Sequence, residues 1–325
     1  MYLKKLPGRA VDSLRARWMR WHKPWKPADG LTVDEIGSDL MKPYGLKARP
    51  WTPSVLEQYA RCPYRFALRG IYGLYEAQRS SAIQRMDPAT RGLIYHEVQE
   101  ELLKGADWLE RLDGVLEAVA GKYEEQMAPA IPQIWHSEVR AIRADLLGWL
   151  QQKLALEAEW SPLACEREFD VELDEGYRLI GRIDLIERRT GGILRVVDHK
   201  TGKPPEKRDG FIVGRGEGLQ PLLYALAAEK ALGERVSFGR LWYATIARNY
   251  EALDVTLDEF TRRRALAVLQ RVDTAIASGW LPAAPRKDAC KGCEYLPVCG
   301  PYEEERLTHK SQPEWSALRE LRGWK

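Results

Sequence analysis

Read for its alternation of apolar and polar positions, the chain divides into a helical first half and a strand-rich second half. The first clear helical stretch is TPSVLEQYARCPYRFALRG, Thr52 to Gly70. Ser54 followed three residues on by Glu57 reads there as a capping box, and Pro63 interrupts the run. ATRGLIYHEVQEELL, Ala89 to Leu103, predicts a second helix. From about Asp107 to Trp160 the pattern stays helical and amphipathic, as in VRAIRADLLGWLQQKLALEAEW. The period then drops to two. CEREFDVEL, the turn Asp174-Glu175-Gly176 and YRLIGRIDLIERR predict a strand, a turn and a strand. Thr190-Gly191-Gly192 leads into a third strand, ILRVVDHK. GLQPLLYALAAEKAL is a helix, VSFGRLWYA a strand, and LDEFTRRRALAVLQRVDTAIASG another helix. The order predicts an α/β fold, a mixed central sheet flanked by helices, with residues 107–160 as a helical insertion.

Residues 1–50 read as an arm appended to a domain over 51–305, with a tail at 306–325. Between Lys4 and Lys26 the arm sets Lys4, Lys5, Arg9, Arg15, Arg17, Arg20, Lys23 and Lys26 against a single acid, Asp12, and an acidic patch follows from Thr32 to Leu40. Trp18, Trp21 and Trp25 are interleaved at spacings that suit one helical face. The bland reading is a solvated basic tail; contact with DNA and docking on a protein partner are the sharper ones. Overall, 45% apolar and 30% charged residues place the chain in the globular class. A net charge of +3 is too small to imply a nucleic-acid partner by itself. No long apolar run exists, which excludes a membrane-spanning helix, and the N-terminus has no apolar core of a secretory signal. Five cysteines exclude a scheme in which all are paired, and their grouping favours a reducing, cytoplasmic setting.

Chemistry concentrates in VVDHKTG, Val196 to Gly202. In a strand, residues i and i+2 share a face, so Asp198 and Lys200 point the same way, with Val196 and Leu194. Asp184 shares a face with Ile180 and Ile186 in the preceding strand. Pairing of the two strands through the Gly-rich turn brings both carboxylates toward one end of the sheet. Two ionised carboxylates about 4 Å apart repel by roughly 4 kcal/mol at an effective dielectric of about 20, which a proton or a divalent cation relieves. Asp oxygens suit Mg²⁺ or Mn²⁺. Such an ion polarises a phosphoryl oxygen and lowers the pKa of water. The competing reading of Asp198 and Lys200 is a surface ion pair worth little.

Three further features bear on that choice. His96 shares a helical face with Gly92 and Leu103, and by itself reads equally as a buried structural histidine. Gln220 and Tyr224, four apart on one helix, can hydrogen-bond to a phosphate or base edge, and Tyr can stack. Cys290-x₂-Cys293-x₅-Cys299 is a three-thiolate cluster in a Gly/Pro-containing loop, residues 286–302. Its fourth ligand is Cys62 or Cys165, and Cys165 opens a predicted strand, where it reads as a structural thiol. Four soft ligands mean Zn²⁺ or an iron–sulfur cluster, which spacing does not separate.

Taken in order, YARCPYRF, RGLIYHEVQEELL, GRIDLIE, VVDHKTG, GLQPLLYALA and CKGCEYLPVC resemble the RecB-type branch of the PD-(D/E)XK nuclease superfamily, over Thr52 to about Tyr302. The likeness is to members with an iron–sulfur staple: AddB-type nuclease domains and CRISPR-associated RecB-like exonucleases. The resemblance implies a restriction-endonuclease-like core and a deoxyribonuclease, an exonuclease on single-stranded DNA or DNA ends in repair, recombination or defence. It implies that His96, Asp184, Asp198 and the backbone carbonyl of His199 bind Mg²⁺ or Mn²⁺, that Lys200 is the catalytic lysine, and that Gln220 and Tyr224 contact DNA. It also implies that Cys62, Cys290, Cys293 and Cys299 hold a [4Fe–4S] cluster joining the two ends of the domain. The long interval between His96 and Asp184 leans toward the AddB-like members. No Walker A pattern appears, so a helicase partner would bring its own motor. A non-cleaving DNA-binding or scaffold subunit of a helicase–nuclease complex is the alternative; such a chain typically loses Asp184, Asp198 or Lys200, and all three are present.

Overall fold

A computed structural model describes residues 8–33, 35–75, 85–205, 211–312 and 315–324; Lys4 and Lys5 of the basic arm lie outside the described residues. In chain order the helices before the sheet are α1 (Gly8–Met19), α2 (Glu35–Met41), α3 (Pro53–Arg61), α4 (Pro63–Phe66), α5 (Pro88–Leu103), α6 (Trp108–Met127) and α7 (Pro132–Leu156). The sheet follows with β1 (Trp160–Glu172), β2 (Arg178–Arg189) and β3 (Leu194–His199), then α8 (Gln220–Leu232), β4 (Val236–Trp242) and β5 (Ala252–Thr256). The chain continues with α9 (Glu259–Ala277), α10 (Leu296–Cys299), α11 (Glu303–Thr308) and α12 (Ser316–Leu321).

The five strands lie in sequence order. β1–β2, β2–β3 and β4–β5 are antiparallel, and β3–β4 is parallel. A parallel pair needs a crossover, and α8 supplies it. Alternation along the strands splits the apolar side chains between two cores. Ile186, Leu194 and Val196 join the core formed with α3, α8 and α9. Leu185, Val197 and Trp242 join a second core with α5, α6 and α7. The mixed sheet flanked by helices is thus as predicted. β5 was not foreseen: only Val255 along it is buried, so its sequence carries a weak alternation.

Local chemistry sets the ends of the elements that matter for the site. Asp87 caps α5, accepting the N–H groups of Ala89 at 2.9 Å and Thr90 at 3.0 Å. The predicted capping box of Ser54 and Glu57 does not form: Thr52 is the N-cap of α3, with Pro53 in the first turn. Glu57 is used elsewhere, as described below. Between α3 and α4 the residue before Pro63 is driven out of the helical region, and Cys62 is extended at φ −165°, ψ 116°.

The helical layer of α7 is tied to the sheet by buried charges. Arg195 Nη2 lies 2.6 Å from Glu187 Oε2, and Arg195 Nη1 lies 2.7 Å from Glu157 Oε2. Arg240 continues the row, 2.7 Å from Glu157 Oε1 and 2.6 Å from Asp254 Oδ1. Lys153 also pairs with Glu187. The row crosses β2, β3, β4 and β5, with α7 on top.

The basic arm is packed against the end of the chain. Trp25 meets Trp280 edge-on at 5.7 Å, and Lys310 Nζ lies 2.7 Å from Asp29 Oδ2 with both side chains buried. Trp18 and Trp21 stay exposed, at 63% and 41%, so the three Trp do not act as one face. Among the described residues, no helix is long and apolar enough to cross a membrane.

Candidate active site

Two hairpin registers place three acids on one rung. β1 pairs Cys165 with Leu185 and Arg167 with Ile183, so Glu166 falls opposite Asp184. β2 pairs Leu185 with Val197 and Ile186 with Val196; one further step sets Asp184 opposite Asp198. Glu166 adopts a left-handed backbone, φ +46°, which is costly for a residue with a Cβ and recurs at functional sites.

α5 lays His96 over this rung. His96 Nδ1 stands 3.3 Å from Asp184 Oδ2 and 4.0 Å from Glu166 Oε1. One ligand atom each from His96, Glu166 and Asp184 lies within 4.8 Å of the others. One imidazole nitrogen with carboxylate oxygens is a donor set for Mg²⁺ or Mn²⁺, so these residues fit a divalent cation. The protonation pattern agrees. Burial, then the nearby Asp198 charge, holds the Asp184 carboxyl well above the ordinary range. Burial also raises Glu166, opposed by Arg182, whose Nε lies 2.6 Å from Glu166 Oε2. Burial lowers His96 and favours the neutral imidazole that a metal requires.

His199 divides its roles. Its backbone N–H donates to Asp184 Oδ2 at 2.7 Å. Its imidazole points into the second core, stacked on Trp242 at 5.8 Å and edge-on to Trp149 at 5.4 Å. Burial drives that imidazole well below the usual histidine value, so the ring is neutral packing.

Lys200 leaves the end of β3 with its backbone N–H given to Trp242 O at 2.8 Å. Its Nζ lies 2.6 Å from Asp198 Oδ2 and donates to Gln220 Oε1 at 2.8 Å. Burial alone would lower the lysine, but the Asp198 carboxylate, with Asp184 and Glu57, outweighs it and raises the pKa. Gln220 Nε2 in turn donates to the Tyr224 hydroxyl at 3.3 Å. Gln220 and Tyr224 therefore share the face their spacing predicts, and both stand behind Lys200.

Two residues of this constellation were not foreseen. Glu166 had a readable signal: the Asp174-Glu175-Gly176 turn, centred on residue 175, reflects 184 onto 166. Glu57 had none. Its Oε1 accepts the N–H groups of Leu219 at 2.7 Å and Gln220 at 3.0 Å, at the start of α8.

At the other end of α3, Cys62 meets the C-terminal loop. Cys62, Cys290, Cys293 and Cys299 line one pocket with the apolar side chains of Leu68, Ala289 and Leu296. All are free thiols. Burial pushes Cys62 and Cys290 each up to about 12. Cys165 lies in β1 against the second core, away from the other four. Four soft donors around an apolar pocket fit a zinc ion or an iron–sulfur cluster.

The chain is 28% identical over 246 residues to one subunit of an ATP-dependent helicase/deoxyribonuclease of Ruminiclostridium cellulolyticum, covering 64% of this chain and 20% of that protein. It is 27% identical over 135 residues to a CRISPR-associated exonuclease Cas4/endonuclease Cas1 fusion of Leptospira interrogans, covering 41% of this chain and 24% of the relative. The chain thus spans a quarter or less of the length of these relatives. Residues 50–300 match the PD-(D/E)XK nuclease superfamily as a whole. That stretch contains the acid rung, His96, Lys200 and the four pocket cysteines, and the chain belongs to the PD-(D/E)XK nuclease superfamily.

Proposed function

We propose that this chain is a divalent-metal-dependent deoxyribonuclease, an exonuclease on single-stranded DNA or DNA ends, working in the cytoplasm in repair, recombination or defence. The observation that carries this reading is the rung Glu166–Asp184–Asp198, capped by His96 and flanked by Lys200. His96, Glu166 and Asp184 hold Mg²⁺ or Mn²⁺, with Asp198 and the His199 carbonyl as the further ligands that the resemblance implies. When bound, the ion supplies Lewis-acid polarisation of the phosphoryl group and activation of water. The chain's own residues do the rest. Lys200, kept protonated by Asp198, acts as a fixed positive charge beside the phosphate and stabilises negative charge as it develops. Gln220 fixes the ammonium in place and, with Tyr224, contacts the strand next to the scissile bond. The helicase/deoxyribonuclease relative supports a role as one subunit of a helicase–nuclease assembly.

Cys62, Cys290, Cys293 and Cys299 are proposed to hold a [4Fe–4S] cluster. The reading is supported by the four cysteines coming from both ends of the domain to line one pocket with apolar side chains, a setting suited to soft thiolate ligation.

The test is cleavage of end-labelled single-stranded DNA with Mg²⁺ or Mn²⁺, comparing anaerobically purified wild type with Lys200→Ala. Metal-dependent products are expected, with the rate falling about 10²–10³-fold in the variant. A folded wild type inert on single strands, duplex DNA and RNA would overturn the reading in favour of a non-cleaving scaffold.

A further inference from the structure

We infer that residues 17–31 form a strap that closes the cysteine pocket, and that Arg20 is a positioning residue which places positive charge against the group held there. The inference rests on the cluster reading above.

Arg20 belongs to a basic N-terminal segment, yet it is only 5% exposed, which is rare for an arginine without strong partners. Its Nη1 donates to Glu303 Oε1 at 2.9 Å, and its Nε donates to Ala28 O at 2.5 Å. The guanidinium carbon lies 5.4 Å from the ring centre of Tyr64, two residues beyond Cys62. Glu303 lines the same pocket as the four cysteines. The strap therefore touches both cysteine-bearing segments at once.

The strap is fastened on both sides of Arg20. Arg17 Nη2 donates to Pro297 O at 2.7 Å, two residues before Cys299. Asp29 O accepts the Ala283 N–H at 2.7 Å, and Lys23 O accepts the Ser311 N–H at 3.0 Å.

At the pocket Arg65 is paired with Glu294 at 2.8 Å, and Glu304 accepts the Cys290 N–H at 2.9 Å, but around Glu303 positive charge exceeds negative. Glu303 is shared, since Arg306 Nη2 also lies 3.0 Å from Glu303 Oε1. Two guanidinium groups thus face one carboxylate. On the Cys62 side, Arg322 spends its hydrogen bonds on carbonyls: Nε donates to Ala60 O at 2.7 Å and Nη2 to Ala284 O at 2.5 Å. Buried positive charge in excess is costly unless an anion compensates it. Four thiolates holding a cluster supply that anion. Nearby positive charge and exclusion of solvent are the levers by which a protein sets the potential and lifetime of such a group.

The test uses the full chain, purified anaerobically, as wild type, Arg20→Gln and Arg20→Lys. Iron and acid-labile sulfide per chain establish the cluster. The readouts are the rate at which its visible absorbance is lost in air and its midpoint reduction potential. For Arg20→Gln, loss about 10–100-fold faster is expected, the range for outer partners of metal ligands, with a lower potential. Arg20→Lys, keeping the charge without the fork, should fall between. Wild-type rate and potential in Arg20→Gln would overturn the inference, whatever the melting temperature. Should that variant not fold, Arg20→Lys decides: loss as slow as wild type overturns it. A wild type with zinc and no sulfide would refute the cluster reading alone. The strap is then read from zinc release to a chelator, faster in Arg20→Gln if it holds and unchanged if it does not.

Discussion

Glu57 on α3 accepts the Gln220 backbone N–H at 3.0 Å, so one carboxylate joins the helix that ends at Cys62 to the residue that holds Lys200. Burial raises this carboxyl to about 7 from an ordinary 4.5, although two N–H donors and Lys200 favour its charged form. Below 4.5 both folded and unfolded chains carry the proton. Between 4.5 and 7 the unfolded chain ionises first, so stability falls as pH rises through that window and stays lower above it. Glu57→Gln keeps an acceptor and removes the titration. Its melting temperature relative to wild type should climb between those two pH values, while Glu57→Ala, lacking the acceptor, should lie below Glu57→Gln at every pH. Parallel curves for wild type and Glu57→Gln across the range would remove Glu57 as the cause.

Glu166 should matter for metal more than for stability. Its Oε1 faces His96 and its Oε2 faces Arg182, so Glu166→Gln removes an anionic donor while keeping the shape. We expect the Mn²⁺ concentration for half-maximal cleavage to rise at least about 10-fold, at the lower end of the range for partners of metal ligands. Cys165→Ser, one residue away, should leave both the metal requirement and the iron content unchanged. Equal metal titrations of wild type and Glu166→Gln would show that this carboxylate is not a ligand.

Legibility in the sequence followed the range of the forces involved. Hairpin turns are local, so Thr190-Gly191-Gly192 sufficed to bring Asp184 beside Asp198. Helical spacing likewise put Gln220 and Tyr224 on one face. What stayed hidden depends on contacts between distant segments. Glu57 looks like a local cap because Ser54 precedes it, yet the unsatisfied N–H groups of α8, more than a hundred residues on, claim its oxygen. Arg20 reads as one more basic residue of an arm, and its burial rests on partners distant in the sequence, Tyr64 and Glu303. β5 is an edge strand with one buried residue, too little alternation to detect.

The row of charges beneath α7 predicts a steep stability loss for one substitution. Glu187 and Arg195 are both 0% exposed, and Glu187 also balances the buried Lys153. Glu187→Ala leaves two cations without their shared carboxylate. Breaking a buried pair in this way costs about 3–5 kcal/mol. Denaturant unfolding should show it, and the double variant Lys153→Met, Glu187→Met should recover part of the loss. A change under about 0.5 kcal/mol, the level of an ordinary surface substitution, would mean that water reaches this row.

Gly239 offers a test of how tightly the crossover helix is held over the sheet. It sits in β4 where α8 crosses, and a Cβ there would lie 2.0 Å from Pro221 O, too close for any side chain. Pro221 immediately follows Gln220, so relieving the clash requires the start of α8 to move away from the strand. Gly239→Ala should therefore destabilise the fold by about 1–3 kcal/mol, as overpacked sites do. It should also displace the Gln220 amide from Lys200. Because a 1 Å misplacement costs about 100-fold in rate, cleavage should fall further than the melting temperature would indicate, and the deficit should persist well below the unfolding transition. Gly192→Ala is the control. Its glycine has φ +87° with open space around it, so it strains the β2–β3 turn without touching α8. Loss of stability in both variants, but of folded-state activity in Gly239→Ala alone, is the expected pattern. Full activity in a folded Gly239→Ala protein would show that the position of α8 does not govern Lys200.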